Sequence, residues 1–351
     1  MSWVIAFLVL SVLIFFHELG HYLAARAVGV FVEVFSIGFG PKLTSFKAFG
    51  NEWRFSAIFL GGYVKMKGQD DADPTKKNYD SDSYNAKTPL QRIFILVAGP
   101  LANFVVAYFF FFAIALGGPV ALEPVIGEVI KDSPAQKAGI QKNDKVLAIN
   151  GKNVSTWTEM AKVVASSHNA LEFKIQRDGY IEFKTITPKL QDATNEFNEK
   201  IKRKMIGITS AGKVKHLQLG FGEALGYAWE KTLWASTMIF KGLQKLLTGD
   251  VPAKDLGGVI SIVKITSDAA QAGWMSVFFF AALISVNLGV LNLLPIPALD
   301  GGHIMFNLFE LFTGKEPSQE VLYRLTVVGW VILLGLMGLG IYNDINRLMG
   351  S

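Results

Sequence analysis

Four stretches of this chain carry no charged side chain at all, at residues 3–16, 93–116, 275–299 and 325–342. The second holds 24 residues and the third 25; as helices rising about 1.5 Å per residue, each crosses a hydrocarbon core about 30 Å thick. Buried strands end after about four to eight residues, so runs of this length need an apolar surrounding rather than a protein core alone. Composition agrees, with 51% hydrophobic residues, 18% charged and 27 Phe, and it excludes an ordinary soluble enzyme. The fold class expected is an α-helical integral membrane protein with about four transmembrane helices.

The chain has no cysteine. Disulfide scaffolds, thiolate nucleophiles, iron–sulfur clusters and Cys-ligated zinc are excluded together, and a metal has to be held by His, Asp or Glu. The net charge of +5 suits an anionic lipid surface, and no basic segment carries a nucleic-acid motif, so no nucleic-acid partner is expected.

The first apolar run lacks a basic flank and a small-residue cleavage site, and it passes straight into His17-Glu18-Leu19-Gly20-His21. It is expected to be a retained span rather than a signal peptide. Residues 40–92 carry nine Lys or Arg, against none before Arg26; the positive-inside rule puts this connection in the cytoplasm and the N-terminus outside. The long segment 117–274 then lies outside the cytoplasm. Within it, 221–247 could pass for a span. Its charges at Glu223, Glu230, Lys231, Lys241 and Lys245, with apolar residues at 225, 229, 233, 240, 243 and 247, suit a helix lying on the membrane surface.

His17 and His21 stand four apart, which on a helix turns both imidazoles to one face, and Glu18 adjoins the first. This HExxH spacing lets two imidazoles bind zinc while the glutamate acts as general base toward water. The alternative is a pair of core histidines beside a buried glutamate, but ionisable groups within a span cost about 2.5 kcal/mol or more and mark function by default. A catalytic zinc needs a third protein ligand. Asp300 and His303, in Asn292-Leu-Leu-Pro-Ile-Pro-Ala-Leu-Asp-Gly-Gly-His303, are the candidates beside an apolar span. Pro295 and Pro297 should break the third helix there. Asp300 is preferred as the ligand, with His303 as a cap or outer-shell donor. Depth supports this: His17 lies about 22 Å from the outer end of the first span, and with three crossings Asp300 also falls toward the inner side.

HELGH on the first span and LNLLPIPALDGG near the end of the third resemble the site-2 protease family of intramembrane zinc metalloproteases, and within it the bacterial regulator of sigma E protease group. The resemblance implies a Zn2+ cofactor on His17, His21 and Asp300, with Glu18 as the catalytic base. It also implies a bacterial inner-membrane location, with the N-terminus outside and the active site toward the cytoplasm. Ala98-Gly99-Pro100-Leu101-Ala102-Asn103 matches the family's motif near the active site. By the same likeness Asn103, Asn287 and Asn292 hold substrate backbone, although on physical grounds alone an Asn in a span serves equally as helix-packing glue. Residues 32–67 read as strands and turns, and the family carries a membrane-associated β-hairpin element here, so Gly62 and Tyr63 are expected to meet substrate by strand addition. Residues 68–88 read as a mobile polar loop.

Residues 119–210 resemble one PDZ domain of the bacterial protease type, an inserted α+β unit. The local reading agrees: a helix starts after Ser133-Pro134, another lies near 156–167, Asn150-Gly151 makes a hairpin turn, and strands 171–176 and 181–187 flank Asp178-Gly179. The regulator group often has two such domains in tandem. The chain thus divides into 1–118 with two transmembrane helices, the PDZ domain at 119–210, an amphipathic helical segment at 211–274 and two further transmembrane helices in 275–351. The expected function is hydrolysis of peptide bonds in transmembrane segments, as in regulated intramembrane proteolysis of anti-sigma factors or remnant signal peptides. The partners are then transmembrane substrates, the lipid bilayer and a peptide ligand of the PDZ domain. Two other classes stay open: a membrane-anchored PDZ adaptor or chaperone, against which the intact Glu18 counts, and a metal or ion transporter, against which the lack of an inverted repeat counts.

Overall fold

The computed structural model describes residues 2–69, 78–195, 197 and 199–349. The chain forms two compact units, one of residues 1–115 with 221–351 and the other of 116–220. Of the polar loop expected at 68–88, residues 70–77 lie outside the described residues; on its flank Lys67 reaches Asp82 at 2.6 Å and Asp80 at 2.9 Å.

The first unit opens with α1 (Ser2–Ala27), which continues through the HELGH residues without a break. Nothing in the sequence stops it before Gly29, whose φ of 72° turns the chain in the left-handed region. Next come β1 (Val32–Ala48) and β2 (Asn51–Met66), joined at Phe49-Gly50, both with positive φ. The two strands are more than a simple hairpin. Residues 34–37 pair with 62–65 on one side and with 52–55 on the other, while 42–48 pair with 51–56. The hairpin therefore doubles back into a sheet of four segments, in the order 42–48, 51–56, 34–37, 62–66. The outermost segment, 62–66, has no strand partner on its far side among the described residues. α2 (Pro89–Leu116) follows, with Pro89 at the first helical position, where a missing N–H costs nothing.

In the second unit β3 (Val120–Leu122), β4 (Ile126–Val129) and the short α3 (Pro134–Lys137) lead to β5 (Lys145–Ile149) and β6 (Lys152–Asn153). The chain continues through α4 (Trp157–Ser166), β7 (Leu171–Arg177), β8 (Tyr180–Ile186), β9 (Lys189–Thr194), β10 (Lys200–Met205), β11 (Ile208–Ser210) and β12 (Val214–His216). Strands β6-β5-β7-β8 form an antiparallel sheet. Asn150-Gly151 and Asp178-Gly179 all have positive φ, as two-residue hairpin turns require. Ser133 caps α3, and Thr156 with Glu159 forms a capping box on α4. On β7 the alternation buries Leu171, Phe173 and Ile175 against Ile126, Met160 and Ile206. Pairing of β12 with β3 draws residues past 210 into the unit.

Fully buried Asp144 anchors this unit, accepting from Arg177 Nε and Nη2 at 2.7 Å each and from the Gln141 amide at 2.8 Å. Removing one partner of such a pair strands the other charge. Asp144→Ala should destabilise the unit by about 3–5 kcal/mol. Hydrogen exchange on the full-length chain checks this: amides of β5 and β7 should lose protection while those of α1 and α2 keep theirs.

The first unit resumes with α5 (Phe221–Thr248), α6 (Val259–Ala272), α7 (Trp274–Asn292), α8 (Asp300–Thr313) and α9 (Gln319–Met349). Among the described residues four helices are long and apolar enough to cross a membrane: Val4–Ala27, Pro89–Leu116, Trp274–Asn292 and Gln319–Met349. The third apolar stretch is not one helix to residue 299. α7 stops at Asn292, Pro295 and Pro297 hold the chain in tight turns, and α8 begins at Asp300. α5 presents its small residues inward: Ala224, Ala228, Thr232 and Ala235 are buried, and Ala228 and Ala235 pack with Phe111 of α2 and Val286 of α7. Leu225, Trp229, Leu233, Phe240 and Leu247 stay exposed. Small residues let helix backbones approach closely, and in lipid large apolar side chains have no reason to turn inward. At the other end of the unit, buried Asp344 of α9 accepts from the Gly258 and Ser261 amides and caps α6.

Candidate metal centre and active-site cleft

One helical turn separates His17 from His21 on α1, and their Nε2 atoms lie 3.2 Å apart. Asp300 Oδ2, from the first turn of α8, is 3.4 Å from each. Bonds of about 2.0–2.1 Å at a tetrahedral zinc put ligand atoms about 3.4 Å from one another, so this triangle has the dimensions of three zinc ligands. Asp300 Oδ2 is buried and has no hydrogen-bond donor of its own. A buried carboxylate oxygen left in that state, facing two imidazole nitrogens, fits a cation. Among the described residues these three form the one group able to hold a metal.

The far nitrogens of both rings are held as such ligands require. His21 Nδ1 donates to the Ile95 carbonyl at 2.9 Å, which leaves the Nε2 lone pair free. His17 Nδ1 lies 3.1 Å from the Asn103 amide, and Asn103 Oδ1 is otherwise a buried acceptor with no donor. With the amide turned so that Oδ1 accepts from Nδ1–H, that oxygen gains a donor and the His17 Nε2 lone pair also faces the centre.

The centre opens on a cleft of about 540 Å3, lined by His17, Glu18, His21, Asp300, His303 and the strand segment 62–66, with Asn292, Phe39, Leu96 and Trp330 completing the wall. Glu18 thus stands in the cleft beside the three ligand candidates while remaining outside their triangle. Gly62 is needed here. A Cβ on it would meet Ser36 O at 2.8 Å and Glu18 Cγ at 3.3 Å. Gly62→Val should therefore displace Glu18 and cut the cleavage rate by about tenfold or more. Zinc content should stay at the wild-type level, and parallel peptidase and metal assays check this. Tyr63 is fixed by stacking on Phe39 and by Arg54, which donates to its hydroxyl at 3.1 Å. Hydrogen bonds from Arg54 and then Lys42 push the Glu52 carboxyl down to about 2 and hold Arg54 in place.

Of the residues expected to contact substrate, Gly62, Tyr63 and Asn292 line the cleft. Asn287 is half-buried on α7 and does not line it. Asn103 is fully buried, bound to His17 through its side chain and to the Ser285 hydroxyl through its carbonyl at 2.8 Å. Its side chain touches a proposed ligand ring, and it is not among the residues that line the cleft. Two features went unread in the sequence. Gly99 lies under His21, where a Cβ would meet Nε2 at 2.2 Å, and Gly20 allows α1 to touch Ala98 of α2. Arg92 of α2 and Glu310 of α8 form a nearly buried ion pair at 2.6 Å, tying the helix behind His21 to the helix that carries Asp300.

Comparison with known proteins agrees with this geometry. The pattern of peptidase family M50 matches residues 5–336. A Campylobacter jejuni protein is 47% identical over 348 residues, covering 98% of this chain and 93% of its own. A Helicobacter pylori protein is 40% identical over 355 residues, covering 99% and 100%. A third, from Clostridium acetobutylicum, is 35% identical over 335 residues, covering 95% and 94%. All three are named, provisionally, as zinc metalloproteases. Matched over nearly its whole length, the chain belongs to peptidase family M50, the site-2 proteases, and is a zinc metalloendopeptidase with membrane-type helices.

Proposed function

We propose that this peptidase cuts peptide bonds within transmembrane segments of other membrane proteins. The observation that carries the reading is the shared cleft: the His17, His21 and Asp300 triangle, Glu18 and a strand edge with no further strand beside it among the described residues meet in one cavity carried by helices apolar enough to cross a bilayer. A helical substrate hides its carbonyls in its own hydrogen bonds, so it has to open before attack. Residues 62–66 supply the surface for the opened chain, whose backbone pairs with this edge by strand addition while Tyr63 and Asn292 flank it. His17, His21 and Asp300 hold the zinc. When bound, zinc polarises the scissile carbonyl and activates water at neutral pH. Glu18 accepts the proton from the attacking water and returns it to the leaving amine.

The same reading places the active site toward the cytoplasm and the N-terminus and residues 119–210 outside, in a bacterial inner membrane. It makes the inserted unit a PDZ domain that either binds a peptide end or screens substrates by size. The positive charge of 40–92 and the turn and cap signals of 119–210 support it. Residues 221–274, with α5, then lie along the outer membrane surface, where the exposed Trp229 and Phe240 face lipid.

Two measurements test the proposal. Mass spectrometry of a transmembrane peptide treated with the purified protein should map cleavage inside the apolar segment; cleavage confined to its soluble flanks would contradict it. Because the chain has no cysteine, single cysteines at Lys47 and Asp178 report sidedness with an impermeant maleimide. They should label from opposite faces, and labelling from the same face would overturn the topology.

A further inference from the structure

We propose that His303 is a further catalytic residue, its imidazole N–H donating a hydrogen bond to the scissile carbonyl oxygen as negative charge develops there. The inference rests on the peptidase reading of the cleft.

The first turn of α8 determines where His303 points. A Cβ on Gly301 would lie 2.1 Å from Leu294 O, and one on Gly302 would lie 2.3 Å from Ile296 O. These two glycines press that side of the turn against the proline-containing loop. Asp300 and His303, three apart and so on one helical face, are turned together into the cleft that also holds Glu18 and strand 62–66. His303 stays outside the ligand triangle, which is complete without it.

Its nitrogens are unlike those of the two ligand imidazoles. His17 and His21 each have Nδ1 held by a protein group. The ring of His303 meets Phe306 edge-on with centroids 6.0 Å apart, and its backbone carbonyl accepts from Asn307 Nδ2 at 2.7 Å. Neither ring nitrogen has a hydrogen-bond partner among the described residues. The ring therefore faces the cleft with no protein group to turn it elsewhere, and its N–H is available to an acceptor on a bound substrate. The reacting carbonyl is the acceptor whose charge grows most during the reaction.

The step balances without help from His303 beyond that hydrogen bond. The oxygen of water bonds to the carbonyl carbon, the carbonyl π pair moves to oxygen, and Glu18 takes the proton. The C–N bond then breaks with its pair on nitrogen, which receives the proton from Glu18. His303 keeps its N–H throughout and stabilises the oxyanion, the role for which a single donor is worth about 10²–10³ in kcat.

The test uses the full-length, zinc-loaded protein in detergent with a transmembrane peptide substrate. His303→Ala should lower kcat about 10²–10³-fold, with KM and zinc content at wild-type values. His303→Gln, which keeps an N–H donor, should recover about tenfold of that loss. A phosphinic peptide, whose tetrahedral oxygens imitate the attacked carbonyl, should bind His303→Ala weaker by about the same factor as the fall in kcat, whereas substrate should bind Glu18→Gln with and without His303→Ala equally well. Wild-type turnover in His303→Ala, loss of its zinc, unchanged phosphinic affinity, or no gain from Gln over Ala would each overturn the assignment. Absence of cleavage by the wild type would instead overturn the peptidase reading itself, and this inference with it.

Discussion

Glu18→Gln should leave the protein folded and loaded with about one zinc while lowering its peptidase rate about 10²–10⁴-fold. The substitution keeps the shape of the side chain, which matters because Gly62 of β2 packs close against Glu18 and Ile14 of α1. It removes the one property the cleft needs from this residue, a carboxylate able to take a proton and give it back. Metal retention follows from geometry: the ligand triangle is formed by His17, His21 and Asp300, and Glu18 is not a corner of it. Cleavage rate and zinc content measured on the same preparation check both halves. Full activity in this variant would remove Glu18 from the mechanism. Loss of zinc would mean that it is a ligand.

Asp300→Ala should have the opposite signature, losing zinc and activity together. Its carboxylate is the proposed ligand brought from the far end of the chain, and Oδ2 reaches both imidazoles at 3.4 Å. Alanine leaves two nitrogens on one helix, too few to close a catalytic zinc site. Loss of an outer-shell partner costs about 10–100-fold in metal affinity, and loss of this ligand should exceed that. Some structural cost accompanies it, since Asp300 is the acidic residue in the first turn of α8 and favours that helix by about 0.3–1 kcal/mol. That cost is too small to unfold the chain. Thermal unfolding of Asp300→Ala should therefore match that of wild type stripped of zinc by a chelator. A variant that kept stoichiometric zinc would show that Asp300 is not a ligand.

The metal centre was readable because its parts obey local rules. Four-residue spacing on an uninterrupted helix brings His17 and His21 to one face, and prolines at 295 and 297 announce the break that frees Asp300. The inserted unit was readable for the same reason: Asn150-Gly151 and Asp178-Gly179 state their turns, and Thr156 with Glu159 states a helix start. What escaped was set by contacts between distant segments. Nothing near residue 35 tells that it will pair with both Val64 and Trp53, so the doubled-back sheet and its outer edge at 62–66 appear only in three dimensions. The family likeness gave Asn103 a substrate role and physics asked only that its amide have a partner; the sequence does not say that His17 is one. Gly99 stood in a stretch likened to the family's motif, but the sequence did not show its role, which is the space it leaves for a ring from another helix. In α5 the large apolar residues read as a face for the membrane surface, and nothing in the sequence said that the small residues between them would be the buried ones.

Zinc K-edge X-ray absorption of the purified full-length protein reaches the central claim most directly. The account predicts about one zinc per chain, with nitrogen and oxygen neighbours at about 2.0–2.1 Å, multiple scattering from two imidazoles, and loss of that shell in Asp300→Ala. A zinc shell unaltered by Asp300→Ala, or one that lacks two imidazoles, would contradict it.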